Sequence, residues 1–234
     1  MELLFEILTE EMPSRMQTSA AEAIAYNIKH ELEARIGSQI AIHSFVTPQR
    51  LGFVATGIPK RIAGKTEEIR GPKSSAPEAA ISGFLSKYNI TKNELELRDD
   101  YYFLNINTPE STADDLIKET IESILGKYVW LKSMRYGVQN HKWVRPVHSM
   151  VCILDGNVIP ITFNGIIASN KTRGHRFMHP VEISVSNFND YKTKLYNAKV
   201  IISYEERRAS IIEQAEKIAE DFNLSIIRDE SLID

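Results

Sequence analysis

The chain reads as an α+β protein, with mixed or antiparallel sheets covered by four or five helices. Three observations predict this class. Short apolar runs recur with turn-forming pairs directly between them, so hairpins dominate the strands. Between the strands lie stretches whose apolar residues recur at three- and four-residue spacing, bounded by capping residues. The 234 residues are 43% hydrophobic and 25% charged, the balance of a globular chain long enough to bury a core.

In order, Leu3–Leu8 reads as a buried strand ending in the acidic turn Thr9-Glu10-Glu11-Met12-Pro13. A helix begins at Ser14, with Gln17 completing a capping box, and Gly37 stops it. In that reading Glu10 and Glu11 serve this helix's start. Ile40–Val46 and Leu51–Ile58 are strands joined at Thr47-Pro48-Gln49-Arg50. Residues 59–77 read as a basic loop, without the spacing of a Walker loop. Ser75 and Glu78 cap a short helix, Leu95–Arg98 and Tyr101–Ile106 pair about Asp99-Asp100, and a helix from Ser111 ends at Gly126. Pro146–Leu154 and Val158–Ile166 form a hairpin about Asp155-Gly156-Asn157. Val181–Val185 and Val200–Ile202 are further strands. Ser203 with Glu206 caps a final helix whose stripe of Ile211, Ile212, Ala215, Ile218, Ala219 and Phe222 faces inward. The chain divides as a 1–58 β-α-β-β unit, a 59–77 linker, a 78–202 α+β unit, and a 203–234 helix leading onward. The apolar ending implies a piece of a longer chain.

Charge is unevenly placed. Lys132 to Arg176 holds Lys132, Arg135, Lys142, Arg145, Lys171, Arg173 and Arg176 against one acid, Asp155, in a chain of net charge −3. Aromatic residues and His148 and His175 interleave with these cations, as on a surface that meets phosphates and bases. An ordinary solvated face has the same charge pattern. Trp143, His148 and Phe177 read either as stacking residues or as supports for the loops, with support the favoured reading.

Other chemistry is sparse. His175 and His179 have a helical ligand spacing, but Gly174 and Pro180 flank them and no acid completes a metal site. Cys152 sits in an apolar run, which makes its thiol inert, and as the single cysteine it forms no internal disulfide. Asp99/Asp100 and Asp114/Asp115 read as a turn and a helix first turn. No apolar run approaches the roughly 20 residues of a membrane span, and the acidic N-terminus is no signal peptide, so a cytoplasmic location is expected.

Seven segments carry a family resemblance: EILTEEMP (Glu6–Pro13), TPQRL (Thr47–Leu51), IRGP (Ile69–Pro72), MRYG (Met134–Gly137), WVRPVHSM (Trp143–Met150), TRGHRFMHP (Thr172–Pro180) and YEERRASI (Tyr204–Ile211). In this order and spacing the chain resembles the N-terminal portion of the beta subunit of bacterial heterotetrameric glycyl-tRNA synthetase. The resemblance implies a fold like the B3/B4-type module of the phenylalanyl-tRNA synthetase beta subunit. It implies partnership with an alpha subunit, a second beta subunit and tRNA(Gly). ATP and Mg2+ are then used by the complete enzyme, in the alpha subunit, and this piece alone is non-catalytic. No hydrolytic motif matches, so no editing residue is carried over. On this basis Lys132, Arg135, Lys142, Arg145, Lys171, Arg173, His175 and Arg176 are the expected tRNA contacts. A protein-docking role for the same surface, without RNA contact, is the first alternative, and an aminoacyl-tRNA editing hydrolase ranks below it.

Overall fold

A strand that is apolar at nearly every position has no face to give to water and belongs inside a covered sheet. The run Leu3–Leu8 forms β1 (Glu2–Thr9) in the computed structural model, which describes residues 1–137 and 141–233, without the side chains of Lys65, Thr108 and Ser231. Residues 138–140 of the basic stretch and Asp234 lie outside the described residues. The chain continues into α1 (Ser14–Ile36) and the hairpin of β2 (Ala41–Thr47) and β3 (Arg50–Thr56). α1 starts where expected but not by a capping box. Pro13 occupies the cap position with no side-chain bond, and the Gln17 amide donates to the Met12 carbonyl at 2.9 Å. Ser14 is already inside the first turn, so its hydroxyl is one residue too late to cap. The helix buries Ala20, Ala21, Ile24, Ala25, Ile28 and Leu32.

Two compact units emerge, residues 1–60 with 113–234 and residues 61–112. The second unit takes residues from both sides of position 77. It holds β4 (Arg61–Ile62), β5 (Lys65–Lys73), α2 (Glu78–Tyr88), β6 (Glu96–Arg98), β7 (Tyr101–Thr108) and β8 (Ser111–Thr112). β5, β7 and β6 make an antiparallel sheet in that order, and β4 pairs with β8. The expected loop at 59–77 is thus largely a nine-residue strand. Its charged residues hide the pattern, because its apolar partners are supplied across the ladder, as where Arg70 faces Phe103. The register shifts between Arg70 and Lys73, where Pro72 has no N–H for a ladder.

The first unit resumes with α3 (Ala113–Lys127), which buries Leu116, Ile117, Ile121 and Leu125. There follow β9 (Met134–Tyr136), β10 (His141–Trp143), β11 (Val147–Leu154), β12 (Asn157–Val158), β13 (Thr162–Phe163), β14 (Ile166–Ile167), β15 (Lys171–Arg173), β16 (Glu182–Ser184), α4 (Phe188–Asn197), α5 (Tyr204–Asp221) and the single turn α6 (Glu230–Ile233). The main sheet runs β12-β11-β1-β3-β2, antiparallel throughout, with β1 at its centre. Leu4, Val151 and Ile153 pack with Tyr191 and Leu195 of α4. The class is α+β, with five helices of more than one turn among the described residues.

Three expectations fail here for physical reasons. The strand expected over 158–166 stops at Val158, because Pro160 cannot donate to a ladder and Asn164-Gly165, both at positive φ, turn the chain back. Residues 200–202 are not a strand; they connect α4 to α5. The stripe of α5 is not core: none of its residues is buried, and Ile211, Ile218 and Phe222 are exposed. Helix α4 has no counterpart in the sequence reading, since Tyr191 and Leu195, with partly buried Phe188, are all that mark its inner face in a polar run; the Asn187 side chain caps it by accepting from the Asp190 N–H at 2.9 Å.

Gly52 sits opposite Glu6 at the centre of the sheet. A Cβ there would lie 2.4 Å from the Phe5 carbonyl and 2.5 Å from the Phe45 ring. Gly52→Ala is expected to destabilise the chain by about 1–3 kcal/mol in urea unfolding, with unchanged m-value.

Candidate nucleic-acid interface

Glu6 is the one charged residue inside the apolar run of β1, and it is fully buried. Burying an ion is tolerable only when its oxygens are satisfied. The Arg50 Nε lies 3.3 Å from one oxygen. The Thr172 hydroxyl donates to the other at 2.5 Å, and the Tyr191 hydroxyl donates a short hydrogen bond. Burial, then the neighbouring carboxylate, raises the Tyr191 hydroxyl well above its ordinary pKa. The Arg50 guanidinium also donates to the carbonyls of Arg173 and Gly174. A buried cluster on β1, β3, β15 and α4 therefore fixes the backbone of the TRGH segment.

Above this cluster, at the C-terminal end of β1, four segments meet. The Thr9 N–H donates to the Gln49 carbonyl at 2.8 Å, the Met12 N–H to Pro48 at 2.7 Å, and the Glu10 N–H to Pro146 at 3.0 Å. The β1–β11 register shifts after Leu8, so His148 is an extra residue on β11. Such a bulge re-aims a side chain, and here His148 Nε2 lies 2.9 Å from a Glu10 oxygen. Glu11 pairs with Arg176 at 3.7 Å. Glu10 and Glu11 thus face basic side chains rather than capping α1, whose cap is Pro13.

The structure brings Arg145, Arg173, His175 and Arg176 to this rim. Arg145 is half-buried and donates to the Val144 carbonyl at 2.9 Å. Arg173 is exposed; among the described residues no carboxylate lies within ion-pair distance of it. Lys171 pairs with Glu182 at 2.7 Å. His175 Nδ1 accepts from the N–H groups of Phe177 and Met178 at 3.2 and 3.1 Å.

Lys132, Arg135 and Lys142 are exposed on or beside the β9–β10 hairpin, where Arg135 and Lys142 stand directly opposite. Two like charges across a ladder repel. The Tyr136 hydroxyl anchors this hairpin by accepting from Val147 N–H and Asn164 Nδ2 at 3.3 and 3.0 Å. Among the described residues no hydrogen bond or ion pair joins these three cations to residues 171–176. Of the expected loop supports, Trp143 is core, edge-on to Phe163 and Trp130, His148 is exposed, and Phe177 is 77% exposed. Among the described residues, no cluster of three or more His, Cys, Asp or Glu is placed to hold a metal ion. Burial pushes the Cys152 thiol far up, leaving it inert.

Arg50 and Glu6 are the residues that sequence reasoning passed over. The available signal was a single carboxylate inside a strand already expected to be buried on both faces.

The family model for the glycyl-tRNA synthetase beta subunit matches residues 3–234. The chain belongs to that family. It is 36% identical to the glycine–tRNA ligase beta subunit of Phenylobacterium zucineum over 234 residues, covering all of this chain and 35% of that protein. The corresponding subunit of Paracoccus denitrificans is 37% identical, with 99% and 35% covered, and that of Rickettsia akari is 36% identical, with 100% and 36% covered. The chain therefore spans about a third of the length of these relatives of the glycyl-tRNA synthetase beta subunit family. Among the described residues, no helix is long and apolar enough to cross a membrane.

The raised Tyr191 hydroxyl gives a signed pH dependence. A tyrosine in the unfolded chain ionises near pH 10, while the folded one stays protonated. The stability it contributes is complete below about pH 10 and falls as pH rises further, by up to roughly 1.4 kcal/mol per pH unit. Tyr191→Phe is expected to be less stable at pH 7 and to show a shallower decline above pH 10 in urea titrations.

Removal of one partner of the buried pair is a harsher change. Arg50→Met is expected to lower stability by about 3–5 kcal/mol, because Glu6 is left charged and unpaired.

Proposed function

We propose that this chain acts within a glycine–tRNA ligase beta subunit, and that its rim of Arg145, Arg173 and Arg176 helps hold tRNA(Gly) while glycine is attached. One observation carries this: Arg173 projects from a backbone pinned by Arg50, exposed and with no carboxylate of its own among the described residues. A guanidinium presented in that way suits a phosphate oxygen pair. Arg135 and Lys142, opposed across their hairpin, offer a second place where an anion relieves repulsion. His175 contributes through its turn, and Lys132 and Lys171 through charge. In this reading the complete ligase uses ATP and Mg2+ in its alpha subunit, and this chain alone neither activates glycine nor completes the reaction. The partners are then the alpha subunit, a second beta subunit and tRNA, in the cytoplasm.

A second role is favoured by the exposed stripe of α5. Ile211, Ile218 and Phe222 on one helix, unburied, suit docking against another protein surface of the ligase. The two roles use different residues and separate by salt, since apolar docking survives high salt and phosphate contact does not.

Replacing Arg173 and Arg176 together by Ala is expected to weaken tRNA binding and to flatten the plot of log affinity against log salt by roughly 1.4–1.8. A gel-shift series across salt concentrations measures both. An unchanged slope removes these arginines from the tRNA contact.

A further inference from the structure

The loop between β15 and β16 carries Phe177 and Met178 at its tip, 77% and 67% exposed. Exposed apolar side chains are ordinary on mobile loops, but this one is held at nearly every residue. Arg50 holds the carbonyls at 173 and 174. The His175 N–H donates to the Ala198 carbonyl and the His179 N–H to the His175 carbonyl, each at 2.9 Å. His175 Nδ1 takes the N–H groups of Phe177 and Met178. Gly174 is packed so closely that a Cβ would lie 2.7 Å from the Ala198 Cβ and from the His179 carbonyl. The Arg176 guanidinium stands 4.9 Å from the centre of the Phe177 ring. The fold thus holds an exposed aromatic ring outward, with the Arg176 guanidinium over it and the His175 ring tilted against it at 6.2 Å.

We propose that Phe177 is a stacking platform for an unpaired nucleotide of RNA, with Arg173 and Arg176 on the phosphates that flank it. This rests on the tRNA-holding role given above and names the part of the RNA it takes. Every base has a face that stacks on an aromatic ring or on a guanidinium plane. In a duplex those faces are occupied by neighbouring bases, so a ring at a loop tip selects single-stranded segments, bulges or ends. Arg173 stands opposite Glu182 across the ladder, but that carboxylate is engaged by Lys171, so among the described residues Arg173 has no ion pair to give up. Arg176 makes an exposed, weak pair with Glu11 at 3.7 Å, which an incoming phosphate can replace. The backbone that carries the ring is held before binding, so less of the loop is left to order.

The test compares this chain and its Phe177→Ala, Phe177→Trp and Arg173→Ala/Arg176→Ala variants. The probes are a short unstructured RNA carrying 2-aminopurine and a blunt RNA duplex of the same length, with circular dichroism confirming each fold. Phe177→Ala is expected to weaken single-strand binding roughly tenfold, to abolish quenching of the 2-aminopurine, and to leave duplex affinity and the salt slope unchanged. Phe177→Trp is expected to keep both affinity and quenching. Wild-type affinity and quenching in Phe177→Ala overturn the platform; if the double arginine variant still loses affinity, the tRNA-holding role stands without it. No loss in either variant overturns both. Loss of a salt-resistant protein contact in Phe177→Ala, with RNA affinity untouched, overturns the platform in favour of a protein-docking tip.

Discussion

One buried carboxylate sets the register of the first unit. Glu6 lies on the central strand, opposite Gly52 on one side and Val151 on the other. Because side chains alternate along a strand, a slip of one residue would carry Glu6 to the opposite face and Phe5 or Ile7 into its place. On its own face it meets Arg50, Thr172 and Tyr191, and the last two lie 166 and 185 residues away in sequence. An ion pair in such a place adds little to stability compared with well-packed apolar groups, but any wrong pairing strands its charge. The cluster is therefore better understood as a constraint on which strands and helix may assemble. Its partners on β3, β15 and α4 satisfy one carboxylate together or not at all.

What was legible in the sequence followed from burial. β1 is an unbroken apolar run, and α1, α3 and the β2–β3 hairpin carry strong period or turn signals, so their positions could be read directly. β5 could not, because its apolar partners sit on β7, distant along the chain. α4 could not, because Tyr191 and Leu195, with Phe188 packed partly buried beside them, are too few to show a period. α5 shows the reverse: its period is real and so is the helix, but period reports amphipathicity and says nothing of whether a partner is present. In the basic stretch, residue type located the charged surface. Which cations share a rim depended on a hydrogen-bond pattern between segments far apart in sequence, which no local reading contains.

The local charge of the rim is also smaller than the sequence suggests. Counted along the chain, the stretch from Lys132 to Arg176 meets almost no acid. In space the acidic turn after β1 returns to it, with Glu10 at His148 and Glu11 at Arg176, and Glu182 answers Lys171. These pairs are exposed and weak. They lower the standing field on the surface without filling it, because a phosphate bound by several groups at once outcompetes single carboxylates on flexible side chains. Non-specific attraction is damped more than a geometrically matched contact.

Arg173 joins the two halves of this arrangement. Thr172 turns inward to Glu6, so strand alternation sends the Arg173 side chain outward, while its carbonyl remains the acceptor for Arg50. The same residue thus belongs to the buried cluster through its backbone and to the surface through its side chain. Its neighbour Gly174 is too tightly packed to move independently, and His175 closes the turn that carries Arg176 and Phe177. Anything that loosens the Glu6 cluster must therefore loosen the direction of these three side chains as well. The direction of the loop's side chains and the sheet's capacity to find its register depend on one set of hydrogen bonds.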